Sequence, residues 1–102
     1  MILEVATLDV RPAATADFEV AFRKATAVIS SMPGFVSLSL QRCLERPARY
    51  VLLVRWERLE DHTVGFRKSP EYLRWKELLH HFYDPFPTVE HYEPVVDVSG
   101  QA

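Results

Sequence analysis

Apolar and polar positions change their period along this chain, and the changes mark its elements. ILEVATLDV (residues 2–10) is rich in Val, Ile, Leu and Thr and predicts a strand that Arg11-Pro12 ends. From about Thr15 the spacing becomes helical. Phe18, Phe22, Ala25, Ile29 and Met32 fall at i, i+4, i+7, i+11 and i+14, one face of a helix. Asp17 and Glu19 lie in its first turn, where the dipole favours acids, and Pro33-Gly34 stops it.

Two β runs follow, FVSLSLQRCL (35–44) and YVLLVRW (50–56), with the polar turn ERPAR between them. They predict a hairpin. In the first run Val36, Leu38 and Leu40 alternate with Ser37, Ser39 and Gln41. The second run is apolar on both faces, as in a central strand covered from each side. Glu60-Asp61 open a short helical stretch. Ser69-Pro70-Glu71 then starts a helix, with Ser as N-cap and Pro at the first position. Tyr72, Trp75, Leu79 and Phe82 share one face of it. Asp84-Pro85-Phe86-Pro87 breaks it, and TVEHYEPVV (88–96) reads as a last strand before a polar tail.

The order β–α–β–β–α–β predicts an α+β, ferredoxin-like fold with an antiparallel sheet and both helices on one face. At 102 residues it is one domain, 1–102, with a core over about 2–96. The second sheet face has no layer of its own to cover it. A second copy of the chain supplies the simplest cover, which predicts a homodimer packed sheet to sheet.

Composition narrows the partners. Twelve basic and fourteen acidic residues are interspersed, with no basic stripe, so neither nucleic acid nor an anionic membrane is expected as a partner. No run approaches the ~18 apolar residues of a membrane span. The N-terminus lacks the basic region of a signal peptide, and a cytoplasmic protein is expected. Cys43 is the only cysteine, read as a small hydrophobe in a strand-like segment. Isolated glycines exclude a phosphate-binding loop.

LLHHFYDPFPTVEHY (78–92) holds three of the four histidines and invites a site. Helix geometry points His80 and His81 about 100° apart, so they do not share one small site. The pair His80 and Asp84 has i, i+4 spacing, but the helix fails there, and no metal is expected. The stretch reads as an aromatic corner between helix and strand. One pocket-facing residue among His80, His81 and Tyr83 is a candidate for ligand contact.

PGF (33–35), the hairpin, RWERLEDH (55–62), FRKSPEY (66–72) and VEHYEPV resemble the antibiotic biosynthesis monooxygenase (ABM) domain family over about residues 2–96. The resemblance implies a dimeric α+β barrel with a pocket between sheet and helices in each subunit. It also implies two chemistries: oxygenation of aromatic polyketides or quinols by O2 without a cofactor, or haem degradation. The haem branch carries an Asn on the first strand, a Trp before the helix-capping Ser and a His within that helix. Here those positions are Val5 or Ala6, Phe66 and Lys76, and the chain contains no Asn. The oxygenase branch carries a Trp that matches Trp56. Its tyrosine, Asn and arginine fall at His62, Leu52 and Lys76.

Oxygenation without a cofactor requires binding a flat ring, taking a proton and stabilising the oxyanion. An imidazole suits the base at neutral pH, which makes His62 the catalytic candidate, against packing at a strand-to-helix junction. Trp56, Phe66 and Tyr72 are expected to line the pocket, and Lys76, His80 and Tyr83 to contact substrate. Trp56 also has the ordinary reading of a buried strand-end Trp. The functional expectation is a cofactor-independent monooxygenase acting on an aromatic or quinol-type molecule. The alternatives are a non-catalytic small-molecule-binding or stress-related dimer, or a haem-binding protein using His80 or His81.

Overall fold

A computed structural model describes residues 1–101. Strand β1 (Ile2–Asp9) leads through a 3-10 turn into α1 (Thr15–Ser30), then β2 (Phe35–Arg42) and β3 (Arg49–Trp56). A π-helical turn at Asp61–Phe66 precedes α2 (Pro70–Leu79), a 3-10 turn at His80–Phe82 and β4 (Val89–Tyr92). The four strands form one antiparallel sheet in the order β2-β3-β1-β4. This is the ferredoxin-like α+β fold that the element order predicts. No helix is long and apolar enough to cross a membrane, among the described residues.

Strand parity decides which sheet face meets the helices. β1 and β3 pair with Glu4 opposite Val54, Ala6 opposite Leu52 and Leu8 opposite Tyr50. All six are buried, as is Trp56 at the end of the row. Phe18, Phe22, Ala25 and Ile29 of α1 pack onto this face, as their helical spacing requires. Ser69 caps α2 by accepting the Tyr72 N–H at 3.2 Å on its side-chain oxygen, with Pro70 behind it.

The opposite face carries Leu3 and Val5 of β1 beside Val51 and Leu53 of β3, all half-buried, with Arg55 exposed. Serines 37 and 39 and Gln41 continue it on β2, and Tyr92 on β4. Arg42 instead pairs with Glu19 of α1.

Helix α2 ends at Leu79, with Phe82 in the 3-10 turn that follows, and two strand ends also differ from the sequence expectation. β2 ends at Arg42, so Cys43 lies outside the strand and is half-buried, closing the hairpin through its N–H to the Arg49 carbonyl at 2.9 Å. β4 spans four residues, where the apolar pattern suggests nine. Its partner β1 begins at Ile2, and Leu3 already pairs with Tyr92, so little strand remains to pair beyond it. Pro94 also lacks the N–H a ladder needs. Val95 and Val96 are left exposed.

Candidate functional site

A cavity of about 290 Å³ lies between the sheet and α2. The sheet contributes Glu4, Ala6, Leu8 and Leu52 as its floor. His62, Phe66 and Arg67 of the π-helical turn form one wall, and Tyr72, Trp75, Leu79 and His80 of α2 the other. Tyr83, Phe86, Pro87 and Val89 border it where the chain returns to β4.

The π-helical turn is what points His62 and Phe66 inward. Arg67 N–H bonds to the His62 carbonyl at 3.1 Å, five residues back, so the turn is wider than an α-helix. Both side chains are buried. Asp61 anchors the entry by accepting the Arg58 N–H at 3.0 Å on Oδ2. That carboxylate sits where a side chain on Gly34 would be: a Cβ there would lie 2.1 Å from Asp61 Oδ2. Gly34 also has φ 84°, a left-handed value that glycine adopts freely.

A buried polar cluster adjoins the cavity. The Trp56 indole N–H donates to Glu4 Oε1 at 2.9 Å. His62 Nε2 lies 3.4 Å from the same oxygen. His62 Nδ1 lies 2.8 Å from His91 Nε2, a hydrogen bond to β4. Burial pushes Glu4 above the usual carboxylate range, opposed by the Trp56 hydrogen bond and the Arg67 charge. Burial pushes His62 down to about 3, helped by the charges of Arg67 and His91, so the imidazole is neutral at physiological pH. His91 is lowered by burial and then by Arg67.

Aromatic edges enclose the rest. The Phe66 ring meets Tyr72 at 5.2 Å and Trp75 at 5.7 Å, both edge-on. His80 meets Phe86 at 5.0 Å, edge-on, near the mouth. Burial lowers His80, with Lys76 adding to the effect, and raises the Tyr72 and Tyr83 hydroxyls.

The expected site residues divide. His62, Phe66, Tyr72, His80 and Tyr83 line one cavity. Trp56 does not: fully buried, it stacks behind His62 and touches the site through Glu4. Lys76 is exposed and outside the lining, because Trp75 and Leu79 take the inward face of α2. His80 and His81 diverge, His80 toward the cavity and His81 to the surface, its ring on Phe82 at 4.2 Å. Glu4 and Arg67 are not among the sequence candidates, and His91 stands there only as one of the three histidines of residues 78–92. Glu4 shares the strand face of Ala6 and Leu8, so a charge at core-facing parity is the available signal. The His91 contact depends on strand pairing and leaves no local trace. No group of three His, Cys, Asp or Glu side chains converges as a metal site, among the described residues.

The comparisons with known proteins agree with this architecture. Residues 1–78 match the sequence model of the family described as "Antibiotic biosynthesis monooxygenase". An uncharacterized protein of Bacillus subtilis (strain 168), YczJ, is 53% identical over 95 residues, 93% of this chain and 100% of YczJ. A Bordetella bronchiseptica structure classed with the antibiotic biosynthesis monooxygenases superposes with a TM-score of 0.89 at 34% identity. It covers 93% of this chain and 97% of that one. A variant of SnoaB, a cofactor-independent oxygenase from Streptomyces nogalater, superposes with a TM-score of 0.82 at 20% identity. The match covers 97% of each chain and is a likeness of fold.

Proposed function

This chain belongs to the antibiotic biosynthesis monooxygenase family, and on that premise we propose that it is a cofactor-independent monooxygenase for a small aromatic or quinol-type molecule. Family membership supports a monooxygenase-type or small-molecule-binding role. The observation that favours turnover is the Glu4–His62 pair, 3.4 Å apart beside an aromatic-walled cavity. A binding pocket alone needs no titratable pair shielded from water, where each charge is expensive.

Phe66, Tyr72 and Trp75 hold the ring plane, and a volume of about 290 Å³ sits at the lower end of ligand pockets, fitting a compact substrate. The Glu4–His62 pair takes one proton from the substrate as the electron-rich ring reduces O2. Oxidation of a ring CH2 balances as CH2 + O2 → C=O + H2O. The first C–H proton goes to the pair and the carbanion adds O2. As the O–O bond breaks, the second C–H hydrogen leaves on the departing oxygen as hydroxide, which takes the stored proton to become water. His62 belongs to this acid–base unit. Lys76, outside the lining, acts at most through the charge it adds near His80.

The same reading includes a cytoplasmic homodimer. The apolar row Leu3, Val5, Val51 and Leu53 on the outer sheet face supports the second copy. Oxygen consumption with anthrone, which carries such a ring CH2, without added metal, is the test. Wild-type protein should accelerate it well above autoxidation and His62→Gln should reduce it. Ligand-induced stabilisation without O2 uptake points instead to the binding role.

A further inference from the structure

We propose that Glu4, not His62, is the catalytic residue that takes and returns the proton, and that His62 and His91 are positioning residues holding its carboxylate. The inference rests on the oxygenase reading and assigns roles within its acid–base unit.

The geometry carries the assignment. Both nitrogens of His62 face protein partners: Nδ1 meets His91 and Nε2 meets Glu4. His62 and Glu4 are about equally buried, 3% and 5% exposed, so it is the pairing of their polar atoms that separates them. Glu4 differs. Its two contacts, from Trp56 and His62, both fall on Oε1, which leaves Oε2 for the cavity the residue lines. A carboxylate with one oxygen held by the Trp56 N–H, His62 beside it at 3.4 Å, and the other oxygen available is a positioned base.

The half-buried His91, on β4, sets the direction of the chain. When its Nε2–H donates, His62 Nδ1 is the acceptor and the proton of the neutral imidazole sits on Nε2, aimed at Glu4. The arrangement parallels an orienting residue that fixes a histidine tautomer, except that the group being held is the carboxylate.

Other groups facing Glu4 fit this role. Arg67 contributes positive charge that favours the carboxylate, and the Tyr72 hydroxyl feels the negative charge of Glu4 across the cavity. Burial lifts the Glu4 carboxyl above its ordinary range, toward the neutral pH at which a base works best. His62 moves the opposite way. The proton balance is closed: one C–H proton resides on Glu4 Oε2 while O2 adds, the second leaves with the distal oxygen as the O–O bond breaks, and the hydroxide so formed takes the Glu4 proton and departs as water.

The first test uses imidazole ¹⁵N and carboxyl ¹³C NMR on the ligand-free protein and on Glu4→Gln. His62 should stay neutral from pH 8 to pH 5 with its proton on Nε2. Titration of the Glu4 carboxyl should move the His62 and His91 signals together, and that movement should vanish in Glu4→Gln. A His62 proton on Nδ1, or His62 itself titrating near its usual pH, overturns the assignment. The second test is O2 consumption with anthrone. Glu4→Gln keeps an oxygen acceptor for Trp56 and should lose about 100-fold in kcat with KM little changed. His62→Gln should lose about tenfold and keep the limb of the pH profile that Glu4→Gln abolishes. Full turnover by Glu4→Gln also overturns it. A wild-type protein that consumes no O2 ends the oxygenase reading, while the NMR result still decides whether Glu4 is the proton-holding group.

Discussion

Trp56 lies flat against His62, with ring centroids 5.6 Å apart and planes inclined by 22°. The same indole donates its N–H to Glu4 at 2.9 Å. One side chain therefore steadies both members of the buried pair, His62 by its face and Glu4 by its edge.

Trp56→Phe separates those two contributions. Phenylalanine keeps an aromatic face for His62 but cannot donate to the carboxylate. Losing a hydrogen bond to a buried charged group should cost about 1.5–3 kcal/mol. Urea unfolding reads the loss, and ¹³C NMR should show the Glu4 carboxyl titrating higher still. Unchanged stability and titration would mean that the indole acts by packing alone.

Acid should destabilise the fold through His62. Its folded value, about 3, lies below the ordinary 6.5, so between those limits the unfolded chain binds more protons. The associated stability is complete above pH 6.5 and is lost on acidification toward pH 3, with a limiting slope of about 1.4 kcal/mol per pH unit. Glu4 acts with the opposite sign. Its raised value removes stability as pH rises from the ordinary carboxylate value of 4.5. Urea midpoints across pH 4–8 should therefore fall on the acid side for wild type and flatten there in His62→Gln.

Filling the cavity should abolish binding without unfolding the protein. Ala6 is buried, lines the floor and lies opposite Leu52. Ala6→Leu sends an isobutyl group into space that is already present, so the stability change should stay below about 1.5 kcal/mol. Wild-type protein should gain thermal stability with 2-naphthol as a redox-stable probe, and the variant should not. An equal thermal shift in both would place the ligand elsewhere.

Gly34→Ala should damage the site from outside it. Strain at φ 84° costs about 1–3 kcal/mol, and the new Cβ displaces the Asp61 carboxylate. Asp61 adjoins His62, so the His62 ring signals should shift along with the urea midpoint. A stability loss with those signals unmoved would confine the effect to the turn.

Leu53→Glu addresses the outer sheet face. Leu53 is half-buried there, opposite Val5. Light scattering should report a dimer for wild type and a monomer for the variant, with the far-ultraviolet dichroism unchanged. A wild-type monomer at micromolar concentration sinks the dimer proposal.

The fold is legible in the sequence because period and punctuation agree. Phe18 to Ile29 mark one helical face, Ser69-Pro70 starts α2, and Pro33-Gly34 ends α1 before the hairpin. The site is legible only where local spacing controls it. His62 and Phe66 stand four apart and turn inward together. Lys76 is misplaced by its matched position in the family, since one step from Trp75 rotates a helical residue about 100° out of the core. Glu4 looks like an interruption in an apolar run until pairing shows which face it shares. The His62–His91 contact joins residues 29 apart through β1, and β4 is shorter than its apolar letters suggest because its partner runs out.

The cavity has a mechanical consequence. Its floor belongs to the sheet and one wall to α2, two layers that meet around it. Local opening of α2 away from the sheet is therefore the motion that hydrogen exchange should read first. A molecule seated in the cavity against Phe66 and Trp75 would act as a strut between the two layers and slow that opening.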